Sequence, residues 1–62
     1  MTQEQVKELK VGSRVVDLLD DTLEVVKIDG LLYELKWVHE DGTLSKGSQI
    51  AVPSHFEYMR LA

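Results

Sequence analysis

Two histidines, His39 and His55, are the side chains of this 62-residue chain best suited to bind a metal ion. A structural zinc site needs four ligands at close spacing, usually Cys and His, and the chain has no cysteine. Two histidines far apart in sequence do not supply such a set. Each stands near a predicted turn, so we expect solvated side chains and predict no metal site and no cofactor.

An acidic segment is the second group of side chains with the right chemistry for a site. It contains Asp17, Asp20, Asp21 and Glu24. Their spacing does not match a calcium-binding EF-hand loop. Paired carboxylates can act as general acid and base in hydrolysis, but a domain of this size has little cavity to exclude water from them. We therefore expect an acidic turn that discourages pairing of sheet edges, and we predict that the chain is not an enzyme.

The four aromatic residues are candidates for recognising a partner, because Trp and Tyr dominate binding hot spots. They are Tyr33, Trp37, Phe56 and Tyr58. A small domain also needs aromatic side chains in its core. We predict that Tyr33 and Phe56 are core residues, and that Trp37 and Tyr58 are the better surface candidates.

The charge of the chain bears on the class of partner. Eleven acidic and seven basic residues give a net charge of −4. Proteins that bind the phosphate backbone need clustered Lys and Arg, whereas the basic residues here are scattered among acids. The charge therefore argues against nucleic acid as a partner. One alternative remains from the same charge: an acidic inhibitor that mimics nucleic acid in the basic groove of another protein.

Residues 31–39 form a predicted strand that carries two of the aromatic side chains. Tyr33, Leu35 and Trp37 fall on one face of a strand, because strand side chains alternate with period two. Asp29-Gly30 precedes the run and Asp41-Gly42 follows it. Asp-Gly between extended runs is a strong hairpin signal. This segment is therefore predicted to be the middle strand of an antiparallel meander.

A two-residue loop at Asp29-Gly30 sets the predicted register between this strand and the preceding one, residues 22–28. The register pairs Ile28 with Leu31 and Thr22 with Trp37. One face of the sheet is then apolar and carries Val26, Ile28, Leu31, Tyr33, Leu35 and Trp37. The other face is mixed and carries Leu23, Val25, Lys27, Leu32, Glu34 and Lys36. A sheet of this kind packs one side on the core.

The remaining elements are short. Thr2 and Gln5 fit a capping box, which predicts a helix over residues 3–9. Strands are predicted over 14–19, over 43–52 with a bulge at Gly47-Ser48, and over 57–61, and a 3₁₀ turn over 53–56. The chain is thus predicted to be one mainly β domain, residues 1–62, with a five-stranded, partly open antiparallel barrel over 13–61. Closure would remove the exposed strand edges of so small a sheet.

The chain resembles the SH3-like barrels in two places. Trp37, the hairpin at Asp41-Gly42 and the segment Val52-Pro53-Ser54-His55-Phe56 resemble the Trp, the hairpin and the apolar-Pro-Ser-x-aromatic turn of SH3 domains, which precedes a short last strand. The segment Gly12-Ser13-Arg14-Val15-Val16-Asp17 is similar to the opening strand of Tudor-type and KOW-type barrels.

The resemblance implies an SH3-like fold and a recognition surface. In SH3 domains the Trp and the Pro-aromatic turn border the ligand groove, so the implied partner-binding residues are Trp37, Pro53, Phe56 and Tyr58. The segment that lines the SH3 peptide groove is absent here, so the resemblance does not imply binding of proline-rich peptides.

These patterns favour a non-enzymatic binding module that acts through protein–protein contacts, as a small bacterial or phage accessory protein. The alternative class is a nucleic-acid-associated barrel of the Tudor or KOW type. The absence of cysteine favours a reducing compartment, and the polar N-terminal residues lack the features of a signal peptide, so we expect a cytoplasmic protein without a membrane anchor.

Overall fold

Five antiparallel strands form a single sheet in the computed structural model, which describes residues 1–62. The strands are β1 (Arg14–Val16), β2 (Thr22–Asp29), β3 (Leu32–Trp37), β4 (Gln49–Ala51) and β5 (Arg60–Leu61). Helix α1 (Gln3–Lys7) precedes them, and a 3₁₀ turn (Pro53–Tyr58) joins β4 to β5. The strand order is β4-β3-β2-β1-β5, and the sheet is not closed, because β4 and β5 do not pair. A mainly β chain with five antiparallel strands and a short helix is thereby confirmed.

Helix α1 begins at the predicted capping box. The Gln5 backbone nitrogen donates to Thr2 Oγ1 at 3.2 Å, and the Thr2 nitrogen donates to Gln5 Oε1 at 2.9 Å. The helix ends at Lys7, two residues earlier than predicted, and a tight turn follows in which Leu9 N donates to the Val6 carbonyl. Val6 and Leu9 are both buried, so this segment covers the core although its last part is not helical.

The hairpin between β2 and β3 turns one residue later than predicted. Asp29 pairs with Leu32, and Ile28 pairs with Tyr33 instead of Leu31. The turn therefore consists of Gly30 and Leu31, with Gly30 at φ +60°. Leu31 lies in this turn and is exposed, so its predicted place on the apolar face was wrong.

A β-bulge in β2 then changes which side chains face the core. The register shifts between Val25 and Lys27, so that Val26 has no partner on β3. Val25 pairs with Leu35, and Leu23 pairs with Trp37. Since one extra residue reverses the side-chain alternation, Leu23 and Val25 point inward. Their predicted place on the mixed face was wrong, and so was the pairing of Thr22 with Trp37.

The core consists of nine buried apolar residues: Val6, Leu9, Val15, Leu23, Val25, Tyr33, Leu35, Ala51 and Phe56. The rings of Tyr33 and Phe56 meet edge to face, with centroids 5.0 Å apart. Both were predicted to be core residues, and this is confirmed. No polar or charged residue is buried.

Three of the predicted strands are shorter in the structure. β1 ends at Val16 because residues 17–21 form a tight turn. Before β4, the predicted strand is reduced to an isolated bridge between Leu44 and Val38, beyond the end of β3. The 3₁₀ turn continues to Tyr58, which leaves two residues for β5. No helix combines the length and apolar character needed to cross a lipid bilayer.

Candidate functional site

The outer face of the sheet, which points away from the core, carries charges of alternating sign. Arg14, Glu24 and Lys36 lie side by side on β1, β2 and β3. Arg14 Nε donates to Glu24 Oε1 at 3.0 Å. Opposite charges on neighbouring strands stabilise a sheet modestly, so this row is explained by the fold alone.

A shallow depression lies on the same face, where β2, β3 and β4 meet near the β2–β3 turn. We call it the outer-face depression. It has a volume of about 100 Å³ and is lined by Lys27, Asp29, Leu32, Glu34 and Ile50. Small-molecule pockets typically have roughly 300–1,000 Å³. The outer-face depression is therefore large enough for one side chain and too small for a cofactor.

The charged groups around the depression are free of other partners. Both ion pairs of the structure, Arg14–Glu24 and Arg60–Asp20, lie elsewhere. Lys27 and Glu34 are neighbours across β2 and β3, yet their side chains form no ion pair. The depression thus offers two carboxylates and one ammonium group, with a formal charge of −1.

The free edge of β4 borders the depression at Ile50. The Trp37 backbone nitrogen donates to Ser45 Oγ at 3.0 Å, and its carbonyl accepts from Ser45 N at 2.8 Å, so both groups point to the β4 side of β3. Because backbone groups alternate along an antiparallel strand, Gln49 and Ala51 bond to β3. The N–H and C=O of Ile50 then point away from the sheet.

His55 limits the length of this edge. Its Nδ1 accepts a hydrogen bond at 3.1 Å from Val52 N, the next outward-facing donor after Ile50. The imidazole thus satisfies the edge donor that directly precedes the 3₁₀ turn. Only Ile50 keeps free backbone groups on β4, which reduces the risk of edge-to-edge association.

The predicted partner-binding residues differ in exposure. Trp37 is 36% exposed at the end of β3, and Tyr58 is 66% exposed in the 3₁₀ turn. Pro53 is half-buried at the start of that turn. Phe56 has no exposed surface, so its side chain has none to offer a partner. Trp37 and Tyr58 are the two surface aromatics, as predicted.

The structure does not bring Trp37 and Pro53 together along the sheet. Tyr33 at the start of β3 pairs with Ala51, directly before the 3₁₀ turn. Trp37 lies four residues further along β3, about 13 Å away at the usual rise per strand residue. Trp37 and the Pro-aromatic turn therefore lie near opposite ends of β3.

The acidic turn between β1 and β2 is held by its own carboxylate. Asp17 Oδ1 accepts backbone hydrogen bonds from Leu19 and Asp21, each at 2.9 Å. Asp20 has a left-handed backbone, with φ +63°. This turn directs Leu18 and Leu19 into solvent, with exposures of 77% and 81%. The acids therefore shape a projecting loop.

The other acidic loop is likewise organised by hydrogen bonds. Asp41 Oδ1 accepts from the Thr43 hydroxyl at 2.7 Å and from the Thr43 nitrogen at 3.0 Å. The hydroxyl bond first, and the backbone bond second, lower the pKa of the Asp41 carboxyl below its ordinary value. No group of three or more His, Cys, Asp or Glu side chains in the chain is placed to hold a metal ion.

Comparison of the chain with protein-family models, with curated protein sequences and with solved structures finds no match.

Sequence reasoning missed the pairing of Ile50 with Glu34, which completes the depression. It placed Lys27, Leu32 and Glu34 on one shared face, and this is confirmed. The position of β4 depends on the irregular connection at 38–48, where Asp41-Gly42 signals a turn but no local pattern sets the register of the residues that follow it. Ile50 could therefore not be assigned to either face.

Trp37→Ala is expected to leave the domain folded. Removal of a fully buried Trp costs about 3–5 kcal/mol, but a ring that keeps a third of its surface in water should cost less. Urea unfolding followed by circular dichroism measures the difference. An unfolded Trp37→Ala protein at room temperature would mean that the ring is a core residue.

Proposed function

We propose that this chain is a small non-enzymatic binding module of the SH3-like barrel class, which contacts a partner protein through Leu32 and Ile50 on the outer face of the sheet. The observation that carries this proposal is the outer-face depression. It is a concave site where two aliphatic side chains, 48% and 55% exposed, stand beside a free strand edge. Exposed apolar groups with a polar rim are typical of protein contact sites.

The strand order supports assignment to the SH3-like class. β1 lies between β2 and β5, and β2, β3 and β4 follow one another as a meander. The 3₁₀ turn that begins at Pro53 leads into the short last strand. The position of this turn agrees with the resemblance of Val52-Pro53-Ser54-His55-Phe56 to the SH3 turn, which precedes a short last strand.

The distribution of charge favours a protein over a nucleic acid as the partner. The outer face carries three basic residues, Arg14, Lys27 and Lys36. Three acids on the same face, Glu24, Asp29 and Glu34, balance them. The net charge of −4 therefore belongs to the rest of the surface, which leaves no basic stripe for a phosphate backbone.

A binding role also agrees with the exposure of the charged side chains. No charged side chain is buried, so none is desolvated in the way that usually prepares a catalytic acid or base. The cysteine-free composition fits a reducing compartment, and the proposal places the protein in the cytoplasm.

Ile50→Glu should abolish capture of the partner. The immobilised chain is incubated with lysate of its source cell, and retained proteins are quantified by mass spectrometry. We expect a protein whose recovery falls about tenfold or more with Ile50→Glu, as for loss of a central contact residue. The physical reason is that the substitution removes an aliphatic contact surface and places a carboxylate where the partner would desolvate it.

Leu19→Glu is the matched control, because it makes the same change of charge at an exposed aliphatic residue of the β1–β2 turn. Its recovery should equal that of the unmodified chain. Equal recovery by all three proteins, or loss with Leu19→Glu alone, would contradict the outer-face assignment. Circular dichroism of both variants verifies that they are folded.

A further inference from the structure

We propose that the outer-face depression accepts a lysine or arginine side chain from an extended segment of the partner. The aliphatic stem would lie on Leu32 and Ile50, and the cationic head would lie near Asp29 and Glu34. This inference rests on the proposed function and gives the chemistry of its site. It concerns the sheet face, away from the Trp37 and Pro53 surface that the resemblance implies.

The apolar part of the depression matches the stem of a basic side chain. Lys and Arg bury their methylene groups along apolar surface while the charged head remains in water. Leu32 and Ile50 supply such a surface, and the depression stays open to solvent. Its volume of about 100 Å³ suits one extended side chain.

The charges of the depression favour a cationic head group on the partner's side chain. Neither Asp29 nor Glu34 makes an ion pair or a side-chain hydrogen bond within the chain, so both carboxylates can accept bonds from a cation. Lys27 is the opposing group, since it lines the same depression beside Glu34. Two carboxylates against one ammonium group favour a cation over an anion or a neutral side chain.

The edge of β4 favours an extended conformation of the segment. The outward N–H and C=O of Ile50 can exchange two hydrogen bonds with one residue of an added strand. The side chain of that residue then projects on the same face as Ile50, beside the depression. Since His55 occupies the next donor, at Val52, the contact is limited to a short segment.

The probe for this site is the capped peptide Ala-Val-Lys-Val-Ala, titrated at low salt into the isotope-labelled chain and followed by backbone amide NMR. We expect shifts at Glu34 and Ile50, with a Kd on the order of 10⁻³ M, and weakening of the complex by added salt. The control peptide has Met in place of Lys, which keeps the length of the stem and removes the charge. It should bind at least about twofold more weakly, the usual scale of one exposed charge pair.

Two variants of the chain give opposite expected results. Glu34→Gln removes a carboxylate and should weaken binding of the Lys peptide by about twofold or more. Lys27→Gln removes the competing ammonium group and should strengthen binding by a similar factor. Both side chains are at the surface, so the fold should be kept.

Three outcomes would overturn the inference: equal binding of the Lys and Met peptides, weaker binding after Lys27→Gln, or shifts confined to the 17–21 turn. If one of these occurs while Ile50→Glu still abolishes capture of the partner, the depression takes a different side chain and the proposed function stands. If Ile50→Glu leaves capture unchanged, the proposed function itself fails.

Discussion

Phe56→Ala is expected to leave the domain largely unfolded at room temperature. The ring is fully buried and packs edge to face on Tyr33 at 5.0 Å between centroids. Truncation of a buried Phe costs about 3–5 kcal/mol. At roughly 0.05–0.15 kcal/mol per residue, 62 residues have a total stability of only about 3–9 kcal/mol. One side chain of the 3₁₀ turn thus contributes a large part of the stability of the whole domain.

Tyr58→Ala is the control, because Tyr58 belongs to the same 3₁₀ turn but is 66% exposed. It should change the free energy of unfolding by no more than about 0.5 kcal/mol. Urea unfolding, followed by circular dichroism and by the fluorescence of Trp37, measures both variants. A Phe56→Ala protein within about 1 kcal/mol of the unmodified chain would contradict the packing of the 3₁₀ turn on the core.

Val25→Asp is the second substitution with a large expected effect. Val25 is fully buried and pairs with Leu35 in the centre of the sheet. A carboxylate at this position would be desolvated with no cation near it, which costs several kcal/mol. We therefore expect no cooperative unfolding transition at pH 7, as measured by thermal and urea denaturation.

The same substitution at the neighbouring residue tests the bulge. Val26 has no partner on β3 and is only half-buried, so Val26→Asp should remain folded with a cost clearly smaller than that of Val25→Asp. The register predicted from the sequence gives the reverse order, since it places Val26 in the core and Val25 on the mixed face. If Val26→Asp unfolds and Val25→Asp does not, the register predicted from the sequence is the correct one. The outer face would then not carry the residues that the observed register places on it.

The two experiments also bear on the proposed site. The core uses the inward side of β1 to β4, so most apolar groups left for a partner are those of the outer face and the loops. Leu32 and Ile50 form a surface only because β4 pairs beside β3 in the register that places Ile50 opposite Glu34. A change of register in either hairpin would separate them, and so the site depends on the bulge at Val26 as much as on its own residues.

Features that depend only on neighbouring residues could be predicted from the chain alone. Thr2 and Gln5 specify the start of α1, because a capping box needs only the first turn of a helix. The alternation of Tyr33 and Leu35 specifies the inner face of β3, since side chains of one strand alternate whatever its partner. Pro53 specifies the end of β4, because proline cannot donate to a strand ladder. From these follow the β class and the burial of Tyr33.

The alignment of the strands depends instead on contacts between residues far apart in the sequence. Asp29-Gly30 signals a hairpin, but not whether its two-residue loop begins at Asp29 or at Gly30. The bulge at Val26 has no local signal either, because Val25 and Val26 are the same residue type. A shift of one residue moves a whole strand face from core to solvent, and the free energy that selects the register comes from packing Leu23, Val25 and Leu35 together. The outer-face depression depends also on the pairing of β4 with β3, so the sequence placed Lys27, Leu32 and Glu34 on one face but could not add Ile50 to them.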